Sequence, residues 1–320
     1  MKPSYIPRSE LPLVSVVVTT KNEERCIRNC LGSIRSQTYP SDKIELIVVD
    51  NYSEDKTKVY AKLFTDLVFD VGPERNAQRN FGMLDVATGK YLMWIDADMI
   101  LSPGLIVECY RYIESTKFVA LYIPEVIIGC RYWPRVRRFE RSFYDNTVID
   151  GTRFIKSAAF RKAGGFSSDW LHGPDDWDLD KTLKSIGELG YLDTEKNNSQ
   201  WGDEDAYLRS HCIEPSNFGH VIFHDESTFS LKRYLQKKQH YAIDFQGYVE
   251  KWGANDTDIK KQVGVAYRYF VVFFEGGKWK RCIRHPILFF STWLLRVLVG
   301  IVYLRTRLTK YSDANHIKNA

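Results

Sequence analysis

The stretch LVSVVVTTKNEERCIRNCLGSIRSQTYPSDKIELIVVDNYSEDKT, residues 13–57, decides the fold. Val14, Val16, Val17 and Val18 put β-branched side chains on both faces of a short segment. That is the mark of a strand buried on both sides in a parallel sheet. A polar stretch, Thr19 to Glu24, follows. Ile27, Leu31 and Ile34 then recur at helical spacing until Pro40 closes the helix. Ile44 to Val49 is a second buried strand, closed by Asp50. Strand, helix and strand within about forty residues make a βαβ unit, whose strands are parallel and whose crossover is right-handed. A third strand, Tyr91 to Ile95, ends in Asp96-Ala97-Asp98. The first 100 residues therefore read as half of a doubly wound α/β domain.

Ligands of such sheets sit outside the carboxyl ends of the strands. Here those ends carry Thr19, Asn22 and Glu23, then Asp50 and Asn51, then Asp96 and Asp98. Asp and Asn also serve turns and helix caps, so one cluster alone is ambiguous. Three clusters at three strand ends point to a site.

The composition bounds the class. Across 320 residues, 44% hydrophobic and 27% charged, a disordered chain is excluded. A mean hydropathy of -0.33 excludes a multi-pass membrane protein. Six cysteines are too few for a disulfide scaffold. Cys26 and Cys30 stand i, i+4 with no second ligand pair nearby, and are expected as buried free thiols. The first apolar run has no basic flank and no cleavage site, so a cytosolic start is expected. The formal charge of +5 is unevenly spread. Residues 231–320 hold 17 Lys/Arg against 6 Asp/Glu, a net +11, and residues 1–230 a net -6. Such asymmetry points to an anionic partner surface, nucleic acid or lipid.

Two carboxylates one residue apart at the end of Trp94-Ile95-Asp96-Ala97-Asp98 suit a hard cation, Mg2+ or Mn2+, with a substrate diphosphate completing its shell. The metal would neutralise charge on a departing diphosphate. A pair capping the next helix, which Ser102-Pro103 announces, is the plainer alternative. Further on, Asp175, Asp176, Asp178 and Asp180 crowd the start of a predicted helix. Repulsion among them can raise one pKa, as a general base requires, and compensation of the helix dipole accounts for acidic first turns as well. His224 follows a predicted strand, Phe218 to Phe223, on which His220 is expected to pack.

In order along the chain, several stretches resemble one family. They are SVVVTTKNE ending at Glu23, IELIVVDNYSEDKT (44–57), AQRNFGMLDVATGKYLMWIDAD (77–98) and AGGFSSDWLHGPDDWDLDKTL (163–183). Together they are similar to the inverting family-2 glycosyltransferases of the GT-A fold. The resemblance implies an α/β, GT-A type doubly wound, mostly parallel sheet. It implies that Thr19, Glu23 and Asp50 hold the nucleoside of a donor, with Asn22 and Asn51 beside them. Arg79 lies near the donor, and Asp96 and Ala97 near the ribose. Asp98 becomes the chief ligand of Mn2+ or Mg2+, His224 completes the metal coordination, and Asp176 is the catalytic base. Asp175 stands where the family more often has Glu. Gly165, Trp170, Asp175 and Trp177 are expected to line the sugar and acceptor pocket, although Gly164-Gly165 would serve a plain turn equally.

In the tail, Lys232, Arg233, Lys237 and Lys238 alternate with Tyr234, Leu235 and Tyr241, a basic amphipathic helix of membrane-surface type. Two apolar segments follow, Val263 to Phe274 and Pro286 to Leu304. The second could only just cross a bilayer core of about 30 Å. Lys278, Lys280, Arg281 and Arg284 flank it on one side, and Arg305, Arg307 and Lys310 on the other. Arg296, in mid-segment, is costly in a spanning helix and tolerable in an interfacial one, where it can snorkel. Nucleic acid offers nothing to bury these apolar segments. The expectation is a catalytic domain at 1–229 and a helical membrane-associating region at 230–320, peripheral or monotopic on the cytoplasmic face.

The function expected is metal-dependent, inverting transfer from a UDP- or GDP-sugar to a hydroxyl of a polyprenyl-linked saccharide. A polyprenyl phosphate acceptor is the runner-up, since it needs no base. A dead, membrane-docked scaffold of the same fold is the non-enzymatic alternative. A nucleotidyltransferase or dehydrogenase would need a glycine-rich loop after the first strand, and Thr19-Thr20-Lys21-Asn22-Glu23 has no glycine.

Overall fold

The computed structural model describes residues 10–170, 173–192 and 204–318, with side chains to Thr306. In chain order the elements are β1 (Val14–Thr20), α1 (Ile27–Arg35), β2 (Ile44–Asp50), α2 (Thr57–Ala61), β3 (Val68–Asp70), α3 (Arg75–Asn80), β4 (Tyr91–Asp96) and β5 (Met99–Leu101). There follow α4 (Leu105–Glu114), β6 (Ala120–Tyr122), β7 (Glu125–Ile128), α5 (Tyr132–Arg141), β8 (Thr152–Lys156), α6 (Ser157–Ala163) and α7 (Asp175–Lys184). The remainder is β9 (Leu189–Tyr191), α8 (Glu204–Ser210), β10 (Ile222–Asp225), α9 (Leu231–Trp252), α10 (Thr257–Gln262), α11 (Val265–Tyr269), α12 (Trp279–Arg284) and α13 (Pro286–Lys318).

The main sheet has seven strands in the order β3-β2-β1-β4-β8-β6-β9, and only β8 runs against the others. β1 is flanked by β2 and β4, so the strand order reverses there and leaves a crevice at their carboxyl ends. The register brings the predicted clusters together, with Thr20 opposite Asp50 and Thr19 opposite Asp96. The pleat then divides the core. Val14, Val16 and Val18 pack with Ile27, Leu31 and Ile106 on one face, and Val17 with Ile47, Leu92, Trp94 and Leu179 on the other. Each such buried apolar side chain contributes about 1.5–3 kcal/mol, and the polar residues that share the Val17 face, Ser15 and Thr19, are buried on hydrogen bonds to Glu45 and Asp96.

A small second sheet, β5-β10-β7, carries His224 opposite Met99 and Ile127. The strand predicted at Phe218 to Phe223 starts later, at Ile222. Pro215 opens a 3-10 turn, and Val221 is tied to Ser102 through both backbone and side chain. His224 therefore lies inside the strand, not after it. A disulfide, Cys130–Cys212, joins the segment before α5 to the turn after α8, while Cys26 and Cys30 are buried free thiols.

The C-terminal helices pack back onto the body. Trp252 Nε1 donates to Asp178 at 2.6 Å, and Lys251 lies 2.8 Å from the same carboxylate. Lys181 pairs with Asp256 and Lys184 with Asp258, each at 2.6 Å. Arg296 does not snorkel outward: it is 5% exposed, with Nε 3.2 Å from Glu140 and Nη2 3.0 Å from the Tyr144 hydroxyl. The opposite face of α13 is bare, with Ile287, Phe290, Leu294, Ile301 and Leu304 exposed. The segment Pro286–Thr306 is long and apolar enough to cross a membrane. Val263 to Phe274 is broken into α11 and a 3-10 turn. Of the predicted flanking cations, Arg307 and Lys310 lie outside the residues whose side chains are described.

Candidate active site

α3 has the sequence RNAQRN, with no apolar stripe, so each polar face needs a partner. The strand ends and the α7 loop supply them. Gln78 Nε2 donates to the carbonyls of Val49 (2.7 Å) and Thr20 (3.1 Å), stitching β1 to β2. Asn76 Nδ2 holds the Trp170 carbonyl at 2.8 Å. Asn80 exchanges two 2.8 Å bonds with the backbone of Phe166. That exchange requires Gly165, whose φ is +78° and where a Cβ would stand 2.5 Å from Asn80 Oδ1.

Arg79 is the hub. Its guanidinium, 1% exposed, lies 3.8 Å from the Trp94 ring centroid and 5.1 Å from that of Phe166. Nη1 reaches Asp175 Oδ2 at 2.8 Å and Asp176 Oδ1 at 3.0 Å, and Nη2 reaches Asp96 Oδ1 at 3.3 Å. Arg75 adds a second bond to Asp175 at 2.9 Å. One cation thus joins the end of β4 to the start of α7. A buried charge cluster of this kind is costly to break from one side, by about 3–5 kcal/mol.

The four acidic residues of α7 separate by environment. Asp178 is held by Lys251 and Trp252. Asp180 accepts from the Thr152 hydroxyl at 2.6 Å, and burial pushes its carboxyl up to about 7. Asp175 is buried, a condition that alone would raise its pKa, yet Arg75 and Arg79 hold it below the ordinary carboxylate range. Asp176 keeps 27% of its side chain exposed. Burial and the neighbouring Asp175 raise its pKa, against the pull of Arg79. Its Cβ lies against Gly151.

At the strand ends, Asp96 accepts from the Thr19 hydroxyl at 3.0 Å. Burial opposes its ionisation, and Arg79, Arg75 and Arg153 overcome that and hold it far below the usual range. Asp98 Oδ2 faces His224 Nε2 at 3.3 Å, while Asp98 Oδ1 is buried with no hydrogen-bond partner among the described residues. His224 Nδ1 is backed by Glu125 at 3.6 Å, and Glu125 is in turn held by Arg153 at 2.6 Å and Arg141 at 2.9 Å. Glu23 is half-buried, and burial together with the nearby Asp98 pushes its carboxyl up to about 7. Asp98 and His224 form a two-member set that fits a divalent cation: a free buried carboxylate oxygen, a ring nitrogen, and an oriented carboxylate behind the ring. No group of three His, Cys, Asp or Glu is assembled among the described residues, so the remaining oxygens would come from a ligand.

Other predicted donor residues have structural partners. Asp50 is fully buried and accepts from the Ser53 backbone N–H at 2.6 Å and its hydroxyl at 2.5 Å. Ser53 in turn accepts from the Asn22 N–H at 2.7 Å, and Asn22 Oδ1 from Glu54 at 3.0 Å. This network zips the β1 loop to the β2 loop. Asn51 Nδ2 donates to the Pro73 carbonyl at 2.6 Å. Ala97 is buried, with its N–H on the Thr19 carbonyl at 3.1 Å. Trp170 and Trp177 pack against Tyr248 of α9, and Trp177 Nε1 donates to Ile149 at 2.9 Å. Sequence reasoning missed Arg75, Glu125 and Arg153. Only the stripe-less polar pattern of α3 could have flagged the first.

Residues 15–166 match the family model described as glycosyl transferase family 2. Glycosyltransferase AglE of Haloferax volcanii is 39% identical over 97 residues, covering 28% of this chain and 32% of its own. The beta-monoglucosyldiacylglycerol synthase of Trichormus variabilis is 23% identical over 289 residues, covering 83% of this chain and 56% of its own. The chain thus spans between about a third and just over half the length of these curated relatives. Among solved structures, the mannosyltransferase PcManGT from Pyrobaculum calidifontis, in complex with GDP-Man and Mn2+, superposes with a TM-score of 0.54 at 18% identity. The match covers 95% of this chain and 88% of that one. At that identity the likeness shows the fold, which is GT-A.

Proposed function

Residues 15–166 of this chain belong to glycosyl transferase family 2, and from that premise we infer that it moves a sugar, with inversion, from a nucleotide-diphosphate sugar to a hydroxyl of a membrane-held, polyprenyl-linked saccharide. The observation that carries this reading is the single cation, Arg79, that spaces Asp176 from Asp96 at the mouth of the crevice. Asp176, partly exposed and with a raised pKa, takes the proton of the acceptor hydroxyl as that oxygen attacks the anomeric carbon. Asp96, kept ionised by Arg79, accepts hydrogen bonds from donor hydroxyls. Glu23, Asp50 and the loops they brace form the nucleoside end. Asp98 and His224 would hold Mn2+ or Mg2+, which supplies charge neutralisation for the leaving diphosphate. A neutral hydroxyl needs a base and an anionic phosphate does not, so a raised-pKa carboxylate favours a saccharide acceptor. The structural neighbour in complex with GDP-Man and Mn2+ supports the donor class.

The exposed apolar face of α13, with Lys280, Arg284 and Arg305 near its ends, supports attachment to an anionic membrane surface on the cytoplasmic side. The inward Arg296 favours a monotopic helix over a spanning one, because a span would pull a buried ion pair apart. Thermal scans with UDP, GDP and their sugars, with and without Mn2+, test the donor. The expected result is a metal-dependent rise in Tm with one base, and no shift with any of them would overturn the reading.

A further inference from the structure

Two lysines of α9, Lys237 and Lys238, have no role in the sugar transfer described above, and the sequence placed them only in a membrane-facing basic helix. The Tyr241 ring packs on Gly173, where a Cβ would stand 3.0 Å from Cγ, and Pro174, Asp175 and Asp176 follow directly. Lys238 Nζ lies 4.9 Å from the Tyr241 ring centroid and Lys237 Nζ 5.6 Å. On its other side Lys238 is 5.3 Å from the Tyr234 ring, which also carries Arg137 at 5.0 Å. Arg137 is neutralised by Glu140 and Glu226. Neither lysine has an ion pair among the described residues. Arg268 has a buried Nη1 with no hydrogen-bond acceptor among them. It lies close enough to Lys238 to repel its charge. Burial, together with Arg137, Lys237 and Arg268, pushes Lys238 down to about 7. Lys238 and Arg268 are partly buried cations whose nearest carboxylate, Glu140, is already engaged by Arg137 and Arg296, and Lys237 stands exposed at their edge, hydrogen-bonded to Tyr241.

The position of the cluster suggests what compensates it. At one end, Lys237 is within electrostatic reach of Arg75 and Asp96 in the crevice. At the other, the Arg268 carbonyl accepts from Arg296 of α13, and Phe270 and Val271 next to it are exposed. The cations therefore stand between the reacting carboxylates and the apolar surface.

We propose that Lys237, Lys238 and Arg268 form a subsite for the phosphate or diphosphate of a lipid-linked acceptor, its hydrocarbon directed to the apolar surface and its sugar to Asp176. The proposal rests on the sugar-transfer reading above. A bilayer headgroup offers the same phosphate ester, so the test separates the two sources.

The full chain, as wild type, as Lys237→Gln/Lys238→Gln and as Arg268→Gln, is titrated by tryptophan fluorescence with farnesyl diphosphate in neutral detergent, with farnesol, and with phosphatidylglycerol vesicles. Wild type binds farnesyl diphosphate at least about tenfold tighter than farnesol, and each variant loses about tenfold or more of that affinity. Vesicle affinity changes by less than about threefold, since bilayer docking rests on the bare face of α13 and the cations at its ends rather than on this cluster. Unchanged farnesyl diphosphate affinity in both variants overturns the subsite. An equal loss on vesicles overturns it too, because the cations would then be a general bilayer contact. Nucleotide binding with Mn2+, measured on the same samples, reports separately on the sugar-transfer reading.

Discussion

The Nη1 of Arg79 that lies 3.0 Å from Asp176 also lies 2.8 Å from Asp175, so one N–H corner is shared by two adjacent carboxylates in different states. Asp175 takes the larger share, with Arg75 as a second donor, and is held ionised. Asp176 receives the remainder and keeps a raised proton affinity. The helix start thus supplies, from consecutive residues, an ionised anchor and the carboxylate proposed as the base.

Asp176→Asn is expected to lower kcat by about 10²–10⁴-fold while leaving nucleotide affinity within a factor of about two. Because the base acts ionised, transfer by the wild type falls as pH drops through a pKa above the ordinary Asp value of about 3.9. An acid limb that survives unchanged in the Asn variant would rule the assignment out.

Asp98→Asn and His224→Ala should each weaken Mn2+-dependent nucleotide binding by about tenfold or more, because each would remove one of the two proposed protein ligands. Glu125→Gln should cost less, since Glu125 orients the ring without reaching the ion. Isothermal titration of Mn2+ in the presence of nucleotide measures the order, and a larger loss at Glu125 would contradict it.

Stability should carry the signature of Asp180. Its folded pKa is raised to about 7 from an unfolded value near 3.9, so the folded state binds the proton more tightly. That contribution is fully present below pH about 4 and is lost as pH rises towards about 7. Asp180→Asn removes this loss. Relative to wild type it should gain up to about 4 kcal/mol between those pH values, read from urea midpoints. A gap that does not widen with pH would falsify the buried, protonated state.

Phe290→Asp with Leu294→Asp places charge on the bare face of α13, where the two side chains are 69% and 53% exposed. Folding should be unaffected. Cosedimentation with phosphatidylglycerol vesicles should fall by about 10²-fold or more, from about 1.5–3 kcal/mol per buried side chain. Undiminished vesicle binding by the double variant at high salt, where the charges are screened, would sink the assignment of the hydrophobic part of the docking to this face.

Much of this was legible from local pattern. Four valines in five residues announced β1, and the spacing of Ile27, Leu31 and Ile34 announced α1. The carboxylates at the ends of β1, β2 and β4 could be placed together because a parallel register does that of itself. What was not legible depends on partners far apart in the chain. Arg79 lies 97 residues from Asp176, and Glu125 reaches His224 only through the second sheet. Cys130 and Cys212, 82 residues apart, could not be paired by spacing. Arg296 was read as an outward-facing cation because its segment is apolar, and hydropathy does not record that Glu140 waits beneath it.

The Arg296–Glu140 pair has a mechanical consequence. It fixes the rotation of α13 about its own axis and its depth against α5. If that helix rests on lipid, the catalytic crevice is held at a set height above the bilayer, like a stylus on a rigid arm. Acceptors would then be sorted by length. A sugar carried too close to its lipid would fall short of Asp176, and one carried too far would overshoot it.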